Sequence, residues 1–231
     1  MPPLLVLLRP HQWSKNLLAF VGLLAAHRWL DGAAWQAAGI AFAALCCLAS
    51  AIYILNDALD AANDRLDPDK CRRPLAAGTV SQQAAALTAL LLLLAAGLLL
   101  QAVPPLGQAA LLGYAGGALA YNFGCKRILW LDVMLLSALY TLRVLAGALA
   151  CAIAPSPWLV TFSLFLFFSL AALKRYAELA RRAGGSLPGR PYRQGDGPLV
   201  MALGAAAAIA TGIVLALYVN DEDVRRMYRR P

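Results

Sequence analysis

Long stretches without a single charge constrain this chain more than any motif does. Gly32 to Asn56, Pro74 to Cys125, Val144 to Leu173 and Gly197 to Asn220 contain no Asp, Glu, Lys or Arg, and a shorter uncharged tract runs from Asn16 to His27. Crossing a bilayer as a helix takes about 20 apolar residues, so each long tract can span and the second can span twice. Charged residues make up only 14% of the 231 positions, well below the roughly 25% of an ordinary soluble domain. The expected class is all-α, a polytopic transmembrane bundle of about seven helices, one membrane domain over residues 1–231.

The formal charge of +8 does not point to nucleic acid at this hydrophobicity; basic loops on one membrane face account for it. Cys46, Cys47, Cys71, Cys125 and Cys151 show no metal-ligand spacing and read as small apolar fillers. The N-terminal Met1 to Leu8 opens with two prolines and lacks a basic region, so a cleaved signal peptide is not expected.

Turn and breaker residues divide the tracts. Helix 1 is expected over Trp13 to Trp29, both ends marked by tryptophan, and Asp31-Gly32 turns the chain. Helix 2 runs from about Ala34 through Tyr53 and delivers an acidic stretch at its far end. Pro104-Pro105 splits the next tract, because proline lacks the amide donor needed in mid-helix, giving Ser81 to Val103 and Leu106 to Phe123. Three more spans follow: Leu131 to Ala152, Trp158 to Ala180 and Pro198 to Val219. With the N-terminus in the cytoplasm, Arg9, Lys15, Arg65, Lys70, Arg72, Arg73, Lys126, Arg127, Lys174, Arg175, Arg181, Arg182, Arg190 and Arg193 fall inside, 14 of 20 Lys and Arg. The tail arginines Arg225, Arg226, Arg229 and Arg230 fall outside and run against that orientation. The three polar loops then share the cytoplasmic face.

Chemistry is concentrated in those loops. Asn56, Asp57, Asp60 and Asp64, with Lys70, Arg72 and Arg73 close behind, place acids at offsets of three and four residues on one helix face. Such carboxylates repel one another unless a cation sits between them, so the run reads either as a solvated turn or as a site for Mg²⁺ and a phosphate-bearing ligand. The second loop offers Tyr121, Asn122, Lys126, Arg127 and Asp132. Lys126 and Arg127 suit a phosphate or the positive-inside pattern equally, and Asp132 suits a helix N-terminus or a metal. Arg143 lies three turns deeper, where an arginine needs a polar cavity or a paired acid. The third loop gives Lys174, Arg175, Tyr176 and Glu178, then Arg190, Tyr192, Arg193 and Asp196. Lys174 and Glu178 either pair at i and i+4 or leave Lys174 to face a ligand. His11 and His27 stand isolated, and no Ser/His/Asp set, Cys/His cluster or glycine-rich nucleotide loop is present.

Asn56-Asp57-x-x-Asp60-x-x-x-Asp64, followed by Lys70 and Arg73-Pro74-Leu75-Ala76-Ala77-Gly78, resembles the first acidic motif of the UbiA-type membrane prenyltransferase superfamily. Arg9-Pro10-x-Gln12-Trp13-x-Lys15-Asn16, Leu131-Asp132-Val133 to Arg143, Lys174 to Leu179 and Gly189-Arg190-x-Tyr192-Arg193 resemble its decaprenyl-phosphate phosphoribosyltransferase branch. The resemblance implies a helical bundle around a central cavity, Mg²⁺ held by Asp57, Asp60 and Asp64, and cleavage of a pyrophosphate-bearing donor to modify a lipid-linked substrate. Lys126 and Asp132 join those aspartates as implied catalytic residues. Lys15, Asn56, Lys70, Arg72, Arg73, Tyr121, Arg143, Lys174, Tyr176 and Arg193 are the implied substrate contacts.

The second acidic motif, a pair of aspartates in the aromatic prenyltransferases, is here Asp132 without a second acid nearby. That favours phosphoribosyl transfer onto a polyprenyl phosphate over polyprenyl transfer to an aromatic or other small acceptor. The superfamily usually has about nine helices of about 20 residues each, so C-terminal helices of that fold are expected to be missing here. A transporter or lipid-binding protein without catalysis is the reading from another class. The expected location is a bacterial inner membrane, with the active site on the cytoplasmic face.

Overall fold

The computed structural model describes residues 2–68, 70–181, 190–222 and 224. It is helical, as expected, with eight α-helices among the described residues: α1 (Pro3–Leu8), α2 (Val21–Ala25), α3 (Gly32–Asp64), α4 (Gln82–Leu100), α5 (Pro105–Phe123), α6 (Leu131–Ala150), α7 (Pro157–Ala180) and α8 (Gly197–Asn220). Five are long and apolar enough to cross a membrane: α3, α4, α6, α7, and α8 with the turn before it. The 19-residue α5, which carries four glycines, two tyrosines, Gln108 and Asn122, is not among them. The protein is an integral membrane protein. The tail arginines, together with Arg182 and Gly189, lie outside the described residues.

Boundaries follow local chemistry. Asp31 caps α3, its Oδ1 accepting from the Ala34 amide at 3.0 Å, and Ser81 caps α4 by accepting from Ala84 at 3.1 Å. The hydrogen bond from the Ala34 amide, and after it Arg28, hold the half-buried Asp31 carboxyl below its ordinary range. Pro105 and Pro157 open α5 and α7, where a missing N–H costs nothing.

Two segments depart from expectation. The helix expected over Trp13 to Trp29 is instead a 3₁₀ stretch, Pro10–Phe20, followed by the single-turn α2. Tight packing and polar anchoring hold it in this form. A Cβ on Gly147 of α6 would lie 1.8 Å from the Ala19 carbonyl, and one on Gly22 would lie 2.5 Å from Ala148 Cβ. Trp13 Nε1 donates to Ser50 Oγ at 3.0 Å, and Asn16 is buried among side-chain partners. Second, α3 does not stop near Tyr53. It continues for 33 residues, about 50 Å at 1.5 Å per residue, so the acidic run occupies its last helical turns and is not a loop.

The chain forms two compact units. One comprises Met1–Leu119 and Leu142–Ala154, the other Ala120–Thr141 and Pro155–Pro231. In the first, α3 packs on α4 and is lined by α1 and the 3₁₀ stretch, around Leu7, Ile54, Ala61, Leu75 and Val80. In the second, α7 packs on α8 around Val133, Ala172, Leu179, Tyr192 and Val200.

Candidate functional site

In the first unit the helical phase of α3 turns Asp57 and Asp64, seven residues and so about two turns apart, into the protein, where they are 2% and 4% exposed. One nitrogen joins them: Arg73 Nη1 donates to Asp57 Oδ1 at 3.1 Å and to Asp64 Oδ2 at 2.7 Å. Arg9 closes the other side of Asp57, its Nη2 donating to Oδ1 and Oδ2 at 2.6 and 2.8 Å. Arg9 reaches it from a left-handed backbone (φ 53°) that ends α1, and its guanidinium lies 5.1 Å from the Tyr53 ring centroid. Desolvated acids are held here by two cations that keep access to solvent, since the Arg9 and Arg73 side chains are 22% and 29% exposed.

Asp60 shares the face but is half-buried and makes no ion pair among the described residues. Among the described residues no three His, Cys, Asp or Glu side chains are gathered closely enough to hold a metal ion together. Asn56 is half-buried. Lys70 is exposed and pairs with Asp67 at 3.1 Å, and Arg72 is exposed. Of the implied basic contacts in this loop, Arg73 alone is brought onto the aspartates.

A second polar group in the same unit surrounds Arg143. Its Nε donates to Asn16 Oδ1 at 3.0 Å and its Nη2 to the Tyr114 hydroxyl at 2.9 Å, with the Tyr114 ring centroid 4.6 Å away. Asn16 in turn donates to Cys46 Sγ at 3.3 Å. A buried intramembrane arginine thus ties α6 to the 3₁₀ stretch and α5 through amide and phenol partners. Lys15, its neighbour in sequence, is half-buried.

In the second unit Asp132, at the start of α6, is fully buried beneath four donor contacts. Tyr121 donates to Oδ1 at 2.8 Å, Arg175 Nη2 donates to the same oxygen at 3.0 Å and its Nε to Oδ2, and Arg190 Nη1 reaches Oδ1 at 2.5 Å. Arg175 also donates from Nη1 to Glu178 Oε2 at 2.5 Å and from Nη2 to Tyr121 at 3.2 Å. Tyr192 packs into the adjoining core, and burial pushes its hydroxyl up to about 12. Tyr176 packs against the same core. Lys126 is half-buried on the turn Cys125–Arg127, whereas Lys174 is exposed, and Glu178 pairs with Arg175. Arg193 is exposed, its amide donating to Asp196 at 2.7 Å.

Residues 16–221 match the model of the UbiA prenyltransferase family. The chain belongs to that family. It is 37% identical over 233 residues to protein y4nM of Sinorhizobium fredii, covering 97% of this chain and 44% of that protein. It is 36% identical to the decaprenyl-phosphate phosphoribosyltransferase of Mycolicibacterium smegmatis, covering 78% of this chain and 58% of that one. The chain therefore spans about half the length of these curated relatives. Among solved structures, a UbiA homolog from Archaeoglobus fulgidus bound to GPP and Mg²⁺ superposes with a TM-score of 0.73 at 19% identity, covering 96% of this chain and 80% of the other. This UbiA-family fold therefore carries two internal carboxylate clusters, one in each unit, that differ in how their cations are held.

Proposed function

We propose that this UbiA-family chain is a Mg²⁺-dependent membrane transferase that moves a 5-phosphoribosyl group from phosphoribosyl pyrophosphate to a polyprenyl phosphate, at the cytoplasmic face of a bacterial inner membrane. The observation that carries the reading is the Asp57–Arg73–Asp64 bridge: two desolvated carboxylates share one guanidinium nitrogen, the position a single cation could take. Mg²⁺ takes hard oxygen ligands, usually one or two carboxylates completed by substrate phosphates, so this donor set fits it. Asp57 and Asp64 would hold the metal, with Asp60 on the same face as a further oxygen donor. When bound, it would neutralise charge on the departing diphosphate.

In this reading Arg73 and Arg9 turn from the carboxylates to diphosphate oxygens, and Asn56 orients the donor. Within the first unit, Lys15, Lys70 and Arg72 add charge or hydrogen bonds where substrate meets protein. A phosphate oxygen of the lipid forms the bond to the anomeric carbon, and the carbon–oxygen bond to diphosphate breaks, its electron pair leaving with diphosphate. Positioning and electrostatics are the protein's share of the work. The donor assignment draws on the likeness to the Mycolicibacterium smegmatis enzyme and on the second acidic motif, which carries Asp132 without a second aspartate nearby in the sequence.

The test is diphosphate release by the purified chain in detergent, from phosphoribosyl pyrophosphate with polyprenyl phosphate and from a polyprenyl pyrophosphate with a small aromatic acceptor, each with and without EDTA. Release from the first alone, abolished by EDTA and reduced at least about a hundredfold in Asp64→Asn, is expected. Release only from the second would replace the reading with prenyl transfer, which the GPP-bound homolog makes the next choice. Release from neither would leave a noncatalytic membrane protein.

A further inference from the structure

In the second unit Asp132 takes four donor contacts, three of them on Oδ1, more than the two lone pairs of that oxygen, and one, from Arg175 Nε, on Oδ2. Two guanidinium groups stand against it, so a metal ion would meet a filled Oδ1, an Oδ2 already engaged by Arg175, and like charge. The two arginines are used differently. Arg175 is 1% exposed, and its Nε, Nη1 and Nη2 all donate to protein acceptors. Arg190 donates from Nη1 alone, to Asp132 and to the Tyr121 hydroxyl, each at 2.5 Å. Its Nε and Nη2 have no protein acceptor among the described residues, its side chain is 23% exposed, and its Cζ lies 5.3 Å from the Tyr121 ring centroid.

We propose that Arg190 is a phosphate-binding residue and that Asp132, with Tyr121 and Arg175, is its positioning residue and not a metal ligand. One edge of the guanidinium is pinned by the carboxylate, the phenol oxygen and the aromatic face. The opposite edge, Nε with Nη2, presents a two-donor fork that matches two oxygens of a phosphoryl group. Arg190 and Arg175 against Asp132 and Glu178 make the cluster neutral, so an incoming phosphate meets no net negative charge. The ligand class is a terminal phosphate monoester, on the pentose donor or on the lipid acceptor. The assignment of source rests on the proposed phosphoribosyl transfer; the anion site itself does not.

Equilibrium binding to the full chain in detergent decides this, with phosphoribosyl pyrophosphate, polyprenyl phosphate and inorganic phosphate as probes and the thermal midpoint read in parallel. Arg190→Ala should weaken at least one probe by about tenfold, corresponding to about 1.4 kcal/mol, with the midpoint little changed. Arg190→Lys, which keeps charge but loses the fork, should fall between. Loss confined to phosphoribosyl pyrophosphate assigns the donor's phosphate, and loss confined to polyprenyl phosphate assigns the lipid's. The Arg190-dependent part should persist in EDTA. Should Arg190→Ala fail to fold, Arg190→Gln, whose amide can still donate to Asp132 and Tyr121, is read in its place. Equal affinities in wild type and variants, a fall in midpoint alone, no binding of any probe, or loss of the Arg190-dependent part in EDTA would each overturn the proposal. Arg190-dependent binding of inorganic phosphate by a protein that turns over neither donor would keep the site and remove the proposed reaction.

Discussion

In the first unit the sealed members of the polar cluster are both acids, Asp57 and Asp64, while their partners Arg9 and Arg73 keep access to solvent. In the second unit an acid and a base are sealed together: Asp132 is fully buried and Arg175 is 1% exposed. A cation with access to water can leave a carboxylate and be rehydrated, whereas a buried cation has nowhere else to put its charge. The first cluster is thus suited to exchanging its cation for another, and the second to holding a fixed arrangement. Both contain acids and arginines in similar number, so composition alone does not separate them.

The largest expected effect sets the two against each other directly. Asp132→Ala strands Arg175 without its main partner in a dry site, at a cost of about 3–5 kcal/mol. Asp57→Ala releases two arginines that water can reach, at about 1–3 kcal/mol. Denaturant or thermal unfolding of both variants in one detergent measures the difference. Equal losses would break the comparison, because they would mean that Arg9 and Arg73 depend on Asp57 as strongly as Arg175 depends on Asp132.

A smaller effect sharpens it. Arg73 reaches both of its carboxylates through the single nitrogen Nη1, which a lysine ammonium can imitate. Arg175 spreads its contacts over Nε, Nη1 and Nη2, which no ammonium can reproduce. Arg73→Lys should therefore stay within about 1 kcal/mol of wild type in stability, and Arg175→Lys should lose about 2 kcal/mol or more. A large loss in Arg73→Lys would show that the first cluster needs a fork after all and would weaken the case that a point-like cation belongs between Asp57 and Asp64.

The same contrast explains what the sequence could reveal. Helix ends set by Pro105 and Pro157 were legible because a missing amide donor acts locally, and the acidic face of α3 was legible because i, i+3 and i+7 is a helical period. The path of Pro10–Phe20 was not, because its close approach depends on Gly147, some 127 positions from Phe20 in the chain. In α7 the sequence pattern points to Lys174 as the ligand-facing residue, yet Lys174 is exposed and Arg175 is the buried one. Arg175 stands four and three residues after the buried Ala171 and Ala172 and four before the buried Leu179, so the apolar phase of the helix already placed it inward. Arg9 carried no comparable local signal, since its reach to Asp57 depends on a left-handed turn and a partner 48 residues away.

The smallest effect concerns alkali. Burial is the main reason that the Tyr192 hydroxyl in the second unit is raised from 10.0 to about 12, so the folded protein favours its neutral form. The sign follows: a folded value above the unfolded one contributes stability that is whole below about pH 10 and is lost as pH rises towards 12. Wild type should therefore lose thermal midpoint more steeply between those limits than Tyr192→Phe, with the two close at neutral pH. Parallel profiles would show that water reaches Tyr192. Because Tyr192 packs in the same core as Val133, the residue after Asp132, that outcome would also argue against a sealed second cluster and return Asp132 to the exchangeable kind found in the first.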